Sequence, residues 1–247
     1  MALHIHRAES AGTLAEQLAV MLARPLPDPF TADVVAVGAP GVQRWLHQRL
    51  ACRLGADAGA GVAANIRYPT PAALVAEISA AACGIAADAD PWSLDRLLWP
   101  VLAAVDESVT QPWAAALARH VGAGQISGDG SRSGRRVATA THIAALFDRY
   151  GATRPSVITE WAAGADTDGC GGDLPEELRW QPRLWRRVRA DIGVPAPAER
   201  LAAVCQRLRA EPSGIDLPQR ISVFGPARIV AGQLTVLGAL AEHRDVH

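Results

Sequence analysis

Four short strand patterns, each close to a helix signal, most constrain the fold of this chain. Val34–Val37 is an apolar run bounded by turn residues, which is typical of a buried strand in a parallel sheet. Leu3–His6 alternates apolar and polar residues, and Asn65–Tyr68 and Arg220–Phe224 are two further strand candidates. Since these strands alternate with helical patterns, the sequence predicts an α/β fold built on a parallel sheet.

Cap and turn signals mark where the neighbouring helices begin. Ser10 is a predicted N-cap, because its hydroxyl can accept a backbone N–H of the first turn. Thr70 followed by Pro71 combines an N-cap with the proline that is favoured at the first helical position. Gly225 and Pro226 form a predicted turn after the last strand.

The middle of the chain, from about residue 91 to 212, shows helical periodicity and almost no strand pattern. Ser93 is a predicted N-cap, and Gly122–Gly134 and Gly164–Gly172 are predicted loops because small residues dominate them. A helix is predicted directly after Ser93. The predicted helices that follow it are Pro112–His120, Arg135–Tyr150, Pro155–Ala163, Trp180–Ile192 and Ala198–Leu208.

These patterns predict two domains. Residues 1–88 and 216–247 form the predicted α/β domain, and residues 89–215 form a predicted helical insertion. The final segment, His243–His247, starts what looks like another strand and then stops, whereas a strand needs about five or six residues and neighbours. We therefore expect the chain to be a fragment of a longer protein.

The charged residues exclude several classes of enzyme. The chain has 24 basic residues, all of them Arg, against 25 acidic residues, which gives a formal net charge of -1. A P-loop NTPase needs a Lys at the nucleotide phosphates, a protein kinase needs a strand Lys, and Schiff-base enzymes need an amine. The balanced charge also predicts no general attraction to nucleic acid or membrane, so any basic surface must be local.

The four cysteines indicate neither zinc nor disulfides. Cys52, Cys83, Cys170 and Cys205 lie far apart and form no CxxC pair, so we expect reduced thiols in a cytoplasmic protein. The N-terminus has no apolar segment of signal-peptide length. No apolar run approaches the ~18 residues that a membrane span requires.

Catalytic patterns are weak throughout the chain. A helix that follows a strand and a turn can bind phosphate, but none of these turns carries a Lys or a Walker B acidic pair, so ATP hydrolysis has no electrostatic stabiliser. His4 and His6 lie on the same face of a predicted strand and could bind a metal, but no third ligand is near in sequence. Cys170 is predicted in a loop without a neighbouring His. We predict no catalytic residue, no metal site and no cofactor.

Arginine and tryptophan are concentrated in the segment Trp180–Arg189, which holds four Arg and two Trp. Such residues can grip phosphates and stack on bases, but the same spacing fits an ordinary solvated helix face with Trp in the core. The same two interpretations, a phosphate grip and an ordinary solvated helix face, apply to another predicted helix. It carries Arg132, Arg135 and Arg136 near its start and Arg149 later.

Six groups of residues recur along the chain in one order. They are Pro27–Phe30; Val37–Gly41 with Gln43, Trp45 and Leu46; Gly61–Ile66 with Pro69 and Pro71; Leu146–Asp148 with Tyr150, Arg154, Pro155 and Trp161; Trp180 and Gln181 with Leu184 and Trp185; and Leu217 and Pro218 with Val223, Gly225 and Leu237. Together they resemble the RecC family, the gamma subunits of exodeoxyribonuclease V in the RecBCD complex. No single group is diagnostic, but the series covers nearly the whole chain and corresponds to the N-terminal part of the family.

The resemblance implies an inactivated superfamily-1 helicase domain, which is a RecA-like parallel sheet with a large all-α insertion. It implies a non-catalytic DNA-channel and scaffold subunit that splits the duplex, guides unwound strands and scans for a recombination hotspot during double-strand break repair. The implied partners are RecB-like and RecD-like subunits, single-stranded DNA and duplex DNA, with no membrane.

The resemblance also implies site residues. Leu146, Asp148 and Arg154 match residues that line the family's strand channel. Arg44, at a predicted turn–helix start, and Arg149, beside the matched Asp148, complete the predicted nucleic-acid-binding set.

Other positions depart from the family pattern. Gly38 and Pro40, like Arg44, stand where members that read the hotspot have polar residues, including a Gln, and Thr70 and Ala145 differ as well. We therefore expect strand guidance more than sequence reading, because phosphate and stacking contacts tolerate sequence change. The alternatives are a pure protein–protein scaffold without DNA contact and an unrelated α/β enzyme with an unrecognised cofactor.

Overall fold

A computed structural model describes residues 2–28, 30–55, 61–122, 129–211, 214–226 and 228–247, with only the backbone described for Ala87 and residues 129–132. The described residues form a mixed α/β structure, which confirms the predicted class. Its three strands are β1 (Asp33–Val37), β2 (Ile66–Arg67) and β3 (Ile221–Phe224). Its ten α-helices are α1 (Ala11–Leu22), α2 (Pro40–Ala51), α3 (Pro71–Ala82), α4 (Leu94–Ser108), α5 (Ala115–His120), α6 (Asp129–Thr153), α7 (Pro155–Ala162), α8 (Trp180–Ile192), α9 (Pro197–Ala210) and α10 (Ala231–Ala241).

The sheet is parallel, in the order β2-β1-β3. Asp33 of β1 lies opposite Ile66 of β2, and Val35 lies opposite Ser222 of β3. Val34 to Val37 are all buried, as expected for a strand that is covered on both faces. The predicted parallel sheet is therefore confirmed, with β1 at its centre.

The two chain ends add single bridges to this sheet. Val246 forms parallel bridges with both Ile221 and Leu3, and the His4 N–H donates to the Val246 carbonyl at 2.8 Å. The prediction of a strand over Leu3–His6 is therefore wrong, because only one residue of the segment is paired. In the described structure, the segment pairs with a neighbour on one side only, at Val246. It leaves the sheet after this bridge and turns toward α1.

All three predicted N-cap residues stand at the N-cap position, and two of them also cap the helix through their side chains. The Ser10 hydroxyl accepts the Thr13 N–H at 3.1 Å, and the Thr70 hydroxyl accepts the Ala73 N–H at 3.1 Å. Ser93 stands at the N-cap position of α4 as predicted, but its hydroxyl accepts no N–H there. The α4 N-terminus is favoured instead by the negative charge of Asp95 in its first turn.

Contacts divide the chain into two compact units. The α/β unit comprises Met1–Ala87 and Ala203–His247, and the helical unit comprises Asp88–Ala202. In the α/β unit, Leu46 and Leu50 of α2 pack with Val35 and Val37 of β1 in a mainly aliphatic core.

The helical unit has an aromatic core. Trp161 and Trp185 are both 1% exposed, and their ring centroids lie 6.4 Å apart in an edge-on arrangement. Trp92 stacks on Trp185 at 6.0 Å, and Phe147 contacts the Trp161 ring edge-on at 6.2 Å. Such aromatic pairs contribute ~0.5–1.5 kcal/mol beyond the area that they bury.

The predicted loop Gly122–Gly134 is partly wrong. Residues 129–134 belong to the first turns of α6, whereas residues 123–128 lie outside the described part of the chain. An exposed glycine in a helix costs only about 1 kcal/mol, and the rest of α6 is anchored by buried Ile143, Ala144 and Phe147. Tertiary packing therefore extends the helix through residues that favour a loop.

Candidate nucleic-acid interface

Arg44 lies in the first half of α2, directly after β1 and its turn. Pro40 starts this helix, and the N-cap residue Ala39 has no side chain that could accept a first-turn N–H. Trp45 anchors the helix against Phe224, with ring centroids 6.1 Å apart. Arg44 itself is exposed, and its guanidinium has no hydrogen-bond partner in the described part of the chain. It can therefore receive an anionic group from solution.

Leu146, Asp148 and Arg149 lie in the last turns of α6. Leu146 is half-buried, whereas Asp148 and Arg149 are exposed on the outer side of the helix. Neighbouring atoms partly desolvate the Asp148 carboxyl and raise its pKa, and the positive charge of Arg149 opposes this increase. Arg149 donates no side-chain hydrogen bond within the described structure, so its guanidinium is also available to an external group.

Arg154 occupies the junction between α6 and α7. Its backbone N–H donates to the Tyr150 carbonyl at 2.8 Å, and Pro155 at the next position begins α7. The side chain is exposed, and its charge contributes to a lowered pKa of Asp168. The larger causes of that lowered pKa are the Cys170 and Gly172 N–H groups, which donate to the Asp168 carboxylate at 2.8 and 3.0 Å.

Four of the five predicted residues therefore come from one continuous stretch of the helical unit. This stretch, residues 146–154, is called the α6–α7 junction below. Its surface carries two available guanidinium groups and the half-buried Leu146. Arg44 belongs to the α/β unit, at the carboxyl end of β1.

The arginines of α8 bind groups within the protein itself. Arg186 binds the Asp166 carboxylate at 2.6 Å, and Arg183 lies 3.7 Å from the same carboxylate. Arg189 donates to both carboxylate oxygens of Glu199 at 2.8–2.9 Å.

The fourth arginine of the segment, Arg187, is also engaged within the protein. It donates to the Ser108 hydroxyl at 3.4 Å and lies over the Trp113 ring at 5.7 Å. All four arginines of α8 thus contact other parts of the protein, and Trp185 lies in the core. The structure supports an ordinary helix face with core Trp and gives no support to a phosphate grip here.

The N-terminal part of α6 gives a mixed result. Arg136 donates to the Asp106 carboxylate through its Nε atom at 2.8 Å, so it too is paired within the protein. Arg135 is exposed, and the side chain of Arg132 lies outside the described part of the structure.

Sequence reasoning missed a cluster of imidazoles in the α/β unit. His247 comes within 3.1 Å of His6, nitrogen to nitrogen, and its ring stacks on His4 at 4.7 Å. His4 in turn binds the Asp245 carboxylate at 3.1 Å. No local signal could have shown this, because the partners lie 241 positions apart. Among the described residues, no group of three or more His, Cys, Asp or Glu could hold a metal ion.

Two further features bear on earlier expectations. The four cysteines are free thiols, and burial raises the pKa of the Cys205 thiol.

Within the described residues, no helix is both long and apolar enough to cross a membrane.

Comparison with known proteins identifies the family. The family model described as RecC, N-terminal domain, matches residues 3–247. The chain is 42% identical over 248 residues to the RecBCD enzyme subunit RecC of Mycolicibacterium smegmatis, a match that covers 100% of this chain and 21% of that protein. It is 42% identical over 251 residues to the Mycobacterium tuberculosis H37Rv subunit, with 100% and 22% covered.

A more distant relative shows the same pattern. The Escherichia coli K12 RecBCD enzyme subunit RecC is 23% identical over 230 residues, which covers 90% of this chain and 19% of that protein. The chain therefore spans about a fifth of the length of these relatives. The full-length match to the family model and the 42% identity to the mycobacterial subunits lead to one conclusion: the chain belongs to the RecC family.

Proposed function

We propose that this chain is the N-terminal part of a non-catalytic DNA-channel and scaffold subunit of a RecBCD-type helicase-nuclease that acts in double-strand break repair. The observation that carries the proposal is the 42% identity, along the whole chain, to subunits named as RecC of the RecBCD enzyme. The proposed partners are RecB-like and RecD-like subunits, unwound single strands and duplex DNA, and the proposed location is the cytoplasm.

We propose further that the α/β unit is an inactivated superfamily-1 helicase domain of RecA-like type. It is built on parallel strands, as such domains are, and it contains no Lys to contact nucleotide phosphates. β3 runs into Gly225 and Pro226, where a Walker B strand would end in acidic residues that hold Mg²⁺. Residues 1–88 and 216–247 would form this domain, and residues 89–215 its helical insertion.

In this proposal, DNA strands contact Arg44, Leu146, Asp148, Arg149 and Arg154. The three guanidinium groups are exposed and make no side-chain hydrogen bond within the described structure, so they can pair with phosphates. Phosphate contacts position a strand without reading its sequence. Gly38 and Pro40, which stand close to Arg44 in sequence, have no side-chain hydrogen-bonding group, which favours guidance over hotspot reading.

A specific observation favours the second candidate function, a scaffold without DNA contact. The largest group of arginines in the chain, that of α8, is engaged within the protein. In that case the exposed guanidinium groups would serve partner subunits.

One experiment separates the two candidates. Arg44, Arg149 and Arg154 are replaced together by Ala in the assembled complex, and single-strand affinity is measured. The matched control replaces Arg7, Arg24 and Arg228, which are also exposed and change the net charge equally. Loss of affinity in the first variant alone supports the channel, whereas unchanged affinity in both supports the scaffold.

The inactive-helicase proposal has its own test. The purified chain is expected to show no ATP turnover. Turnover that co-purifies with the chain and is abolished by a substitution in its α/β unit would overturn the proposal.

A further inference from the structure

Three of the chain's seven histidines meet at the edge of the sheet in the α/β unit. The His6 Nε2 and His247 Nδ1 atoms lie 3.1 Å apart, and the His4 ring stacks on the His247 ring with centroids 4.7 Å apart. His4 and His6 have no third metal ligand near them in sequence, but the fold brings His247 to them from 241 positions away. None of these imidazoles belongs to the proposed DNA-binding set.

The backbone around the imidazoles is fixed by main-chain hydrogen bonds. The His247 N–H donates to the Ile221 carbonyl at 3.0 Å, and the His247 carbonyl accepts the Val223 N–H at 2.7 Å. On the other side, the His4 N–H donates to the Val246 carbonyl at 2.8 Å. The two segments that carry the imidazoles are therefore held beside each other, which is the support that a preorganised binding site requires.

The separation of the two ring nitrogens fits a shared metal ion. Zinc lies ~2.0–2.1 Å from an imidazole nitrogen, so two nitrogens on one ion lie roughly 2.8–3.4 Å apart at square-planar to tetrahedral angles. The 3.1 Å between His6 Nε2 and His247 Nδ1 falls within this range. The same spacing fits a hydrogen bond between neutral rings, so the two nitrogens can share either a proton or a metal ion.

The surroundings of the pair give a cation access and a favourable charge. His6 is exposed and His247 is half-buried, and both line a cavity of about 340 Å³ that has no Arg among its described lining residues. The Asp245 carboxylate, which binds the third imidazole at 3.1 Å, places a negative charge beside the cluster. The positive charge of Arg220 is balanced by Asp33, whose carboxylate lies 3.2 Å from it.

We propose that His6 and His247 together bind one divalent transition-metal ion of the Zn²⁺ class through Nε2 and Nδ1. Imidazole nitrogen is a good ligand for Zn²⁺, Ni²⁺ and Cu²⁺, whereas Mg²⁺ and Ca²⁺ prefer oxygen ligands. Within the described structure no third protein ligand joins the pair, so water completes the coordination from the cavity side. The inference is independent of DNA binding and goes beyond the proposed function.

Metal binding changes the tautomer of one ring and leaves both rings neutral. In the hydrogen-bonded pair, one of the two facing nitrogens carries a proton. When the ion binds, that ring carries its proton on its other nitrogen, so both facing nitrogens offer a lone pair to the metal. The bound ion links residues 3–6 to residues 245–247, and it stabilises this edge of the sheet because it binds only the folded state.

Calorimetric titration of the untagged chain with Zn²⁺ tests the site. We expect one ion per chain with an affinity in the micromolar range, and no binding of Mg²⁺. His6→Gln and His247→Gln should each weaken Zn²⁺ binding about tenfold or more, because loss of a direct ligand costs at least as much as loss of an outer-shell partner. His142→Gln is the matched control, since His142 is exposed on α6, and it should leave the affinity unchanged.

A second measurement uses the unsubstituted chain and so does not depend on whether the variants fold. Co²⁺ is paramagnetic and occupies Zn²⁺ sites, so a substoichiometric amount should broaden the NMR amide signals of His4, Val223 and Val246 more than those of the helical unit. Zn²⁺ should also raise the melting temperature of this chain, and it should not raise that of a variant with both His6→Gln and His247→Gln.

Three results would overturn the proposal. They are no Zn²⁺ binding by the unsubstituted chain, equal weakening by His142→Gln and by the two ligand substitutions, and Co²⁺ broadening centred away from the sheet edge. Any of them would show that the contact between His6 and His247 is a hydrogen bond only.

Discussion

The two compact units are stabilised by different side-chain chemistry. The helical unit combines a core of Trp and Phe rings with Arg–carboxylate pairs, such as Arg200 with Asp90 at 2.6 Å. The α/β unit has Arg–carboxylate pairs of its own, such as Arg209 with Glu242 at 2.6 Å, but combines them with a mainly aliphatic core and a group of imidazoles at the edge of its sheet. The number of arginines in a region therefore does not measure how well that region can bind DNA. The fold already engages the arginines of α8, the segment in which they are most concentrated.

The same contrast exists within the helical unit. The arginines of α8 bind carboxylates or an aromatic ring of the protein, whereas those of the α6–α7 junction make no side-chain hydrogen bond in the described structure. We therefore expect substitutions in α8 to reduce stability, and substitutions at the junction to reduce DNA binding alone. The expected effects on stability are ordered below from the largest to the smallest.

Trp185→Ala is expected to lower the free energy of unfolding by about 3–5 kcal/mol, because it empties the centre of the aromatic core. The matched control is Trp99→Ala, since Trp99 is 66% exposed on α4 and its removal should change stability by less than about 0.5 kcal/mol. Denaturant titration of both variants measures the difference. Equal effects of the two substitutions would show that α8 is not anchored as described.

Arg189→Ala is expected to lower the free energy of unfolding by about 1–2 kcal/mol. It leaves the Glu199 carboxylate, whose side chain is only 13% exposed, without its bidentate partner. Arg149→Ala serves as the control and should have almost no effect on stability. An Arg189→Ala variant as stable as this control would contradict the structural role of the α8 arginines.

Lowered pH is expected to loosen the edge of the sheet in the α/β unit while leaving α8 unchanged. Burial and the charges of His4 and His6 lower the pKa of His247, with a smaller contribution from Arg220, and Asp245 opposes this. Since the folded-state pKa is the lower one, the neutral ring contributes stability above about pH 6.5, and that contribution is lost as the pH falls through the folded value.

Hydrogen exchange between pH 7.5 and 5.5, corrected for intrinsic rates, measures this effect. Protection should fall at the amides of His4, Val223 and Val246, which bridge the chain ends to the sheet, and should persist in α8. Replacing both His6 and His247 by Gln retains hydrogen-bonding groups without titration and should remove the pH dependence. Equal loss of protection in both units would refute the contrast.

Local sequence patterns predict the elements of this fold well but predict their partners poorly. The apolar run at β1 and the helical spacing of α8 each identify an element correctly, because both depend on residues that are neighbours in sequence. The predicted start of α6 is wrong, since packing of distant residues extends that helix through Gly and Ser. Ser93 occupies the predicted N-cap position without capping through its side chain, because residue type alone does not fix where a hydroxyl points.

The candidate site depends even more on distant contacts. Sequence spacing could not tell a phosphate-binding arginine from one that is paired within the fold, because Arg186 and Arg187 find partners 20 and 79 positions away. Leu146, Asp148 and Arg154 came from the family resemblance, and their role in DNA binding remains a prediction.

Salt dependence of single-strand binding tests the central claim most directly. In the assembled complex, each phosphate contact adds about 0.7 to the slope of log affinity against log salt concentration. If Arg44, Arg149 and Arg154 guide the strand, their joint replacement by Ala should reduce the magnitude of that slope by about 2 and change stability by less than about 0.5 kcal/mol. A slope equal to that of the unsubstituted complex, in a variant that folds and assembles, would contradict the DNA-channel role.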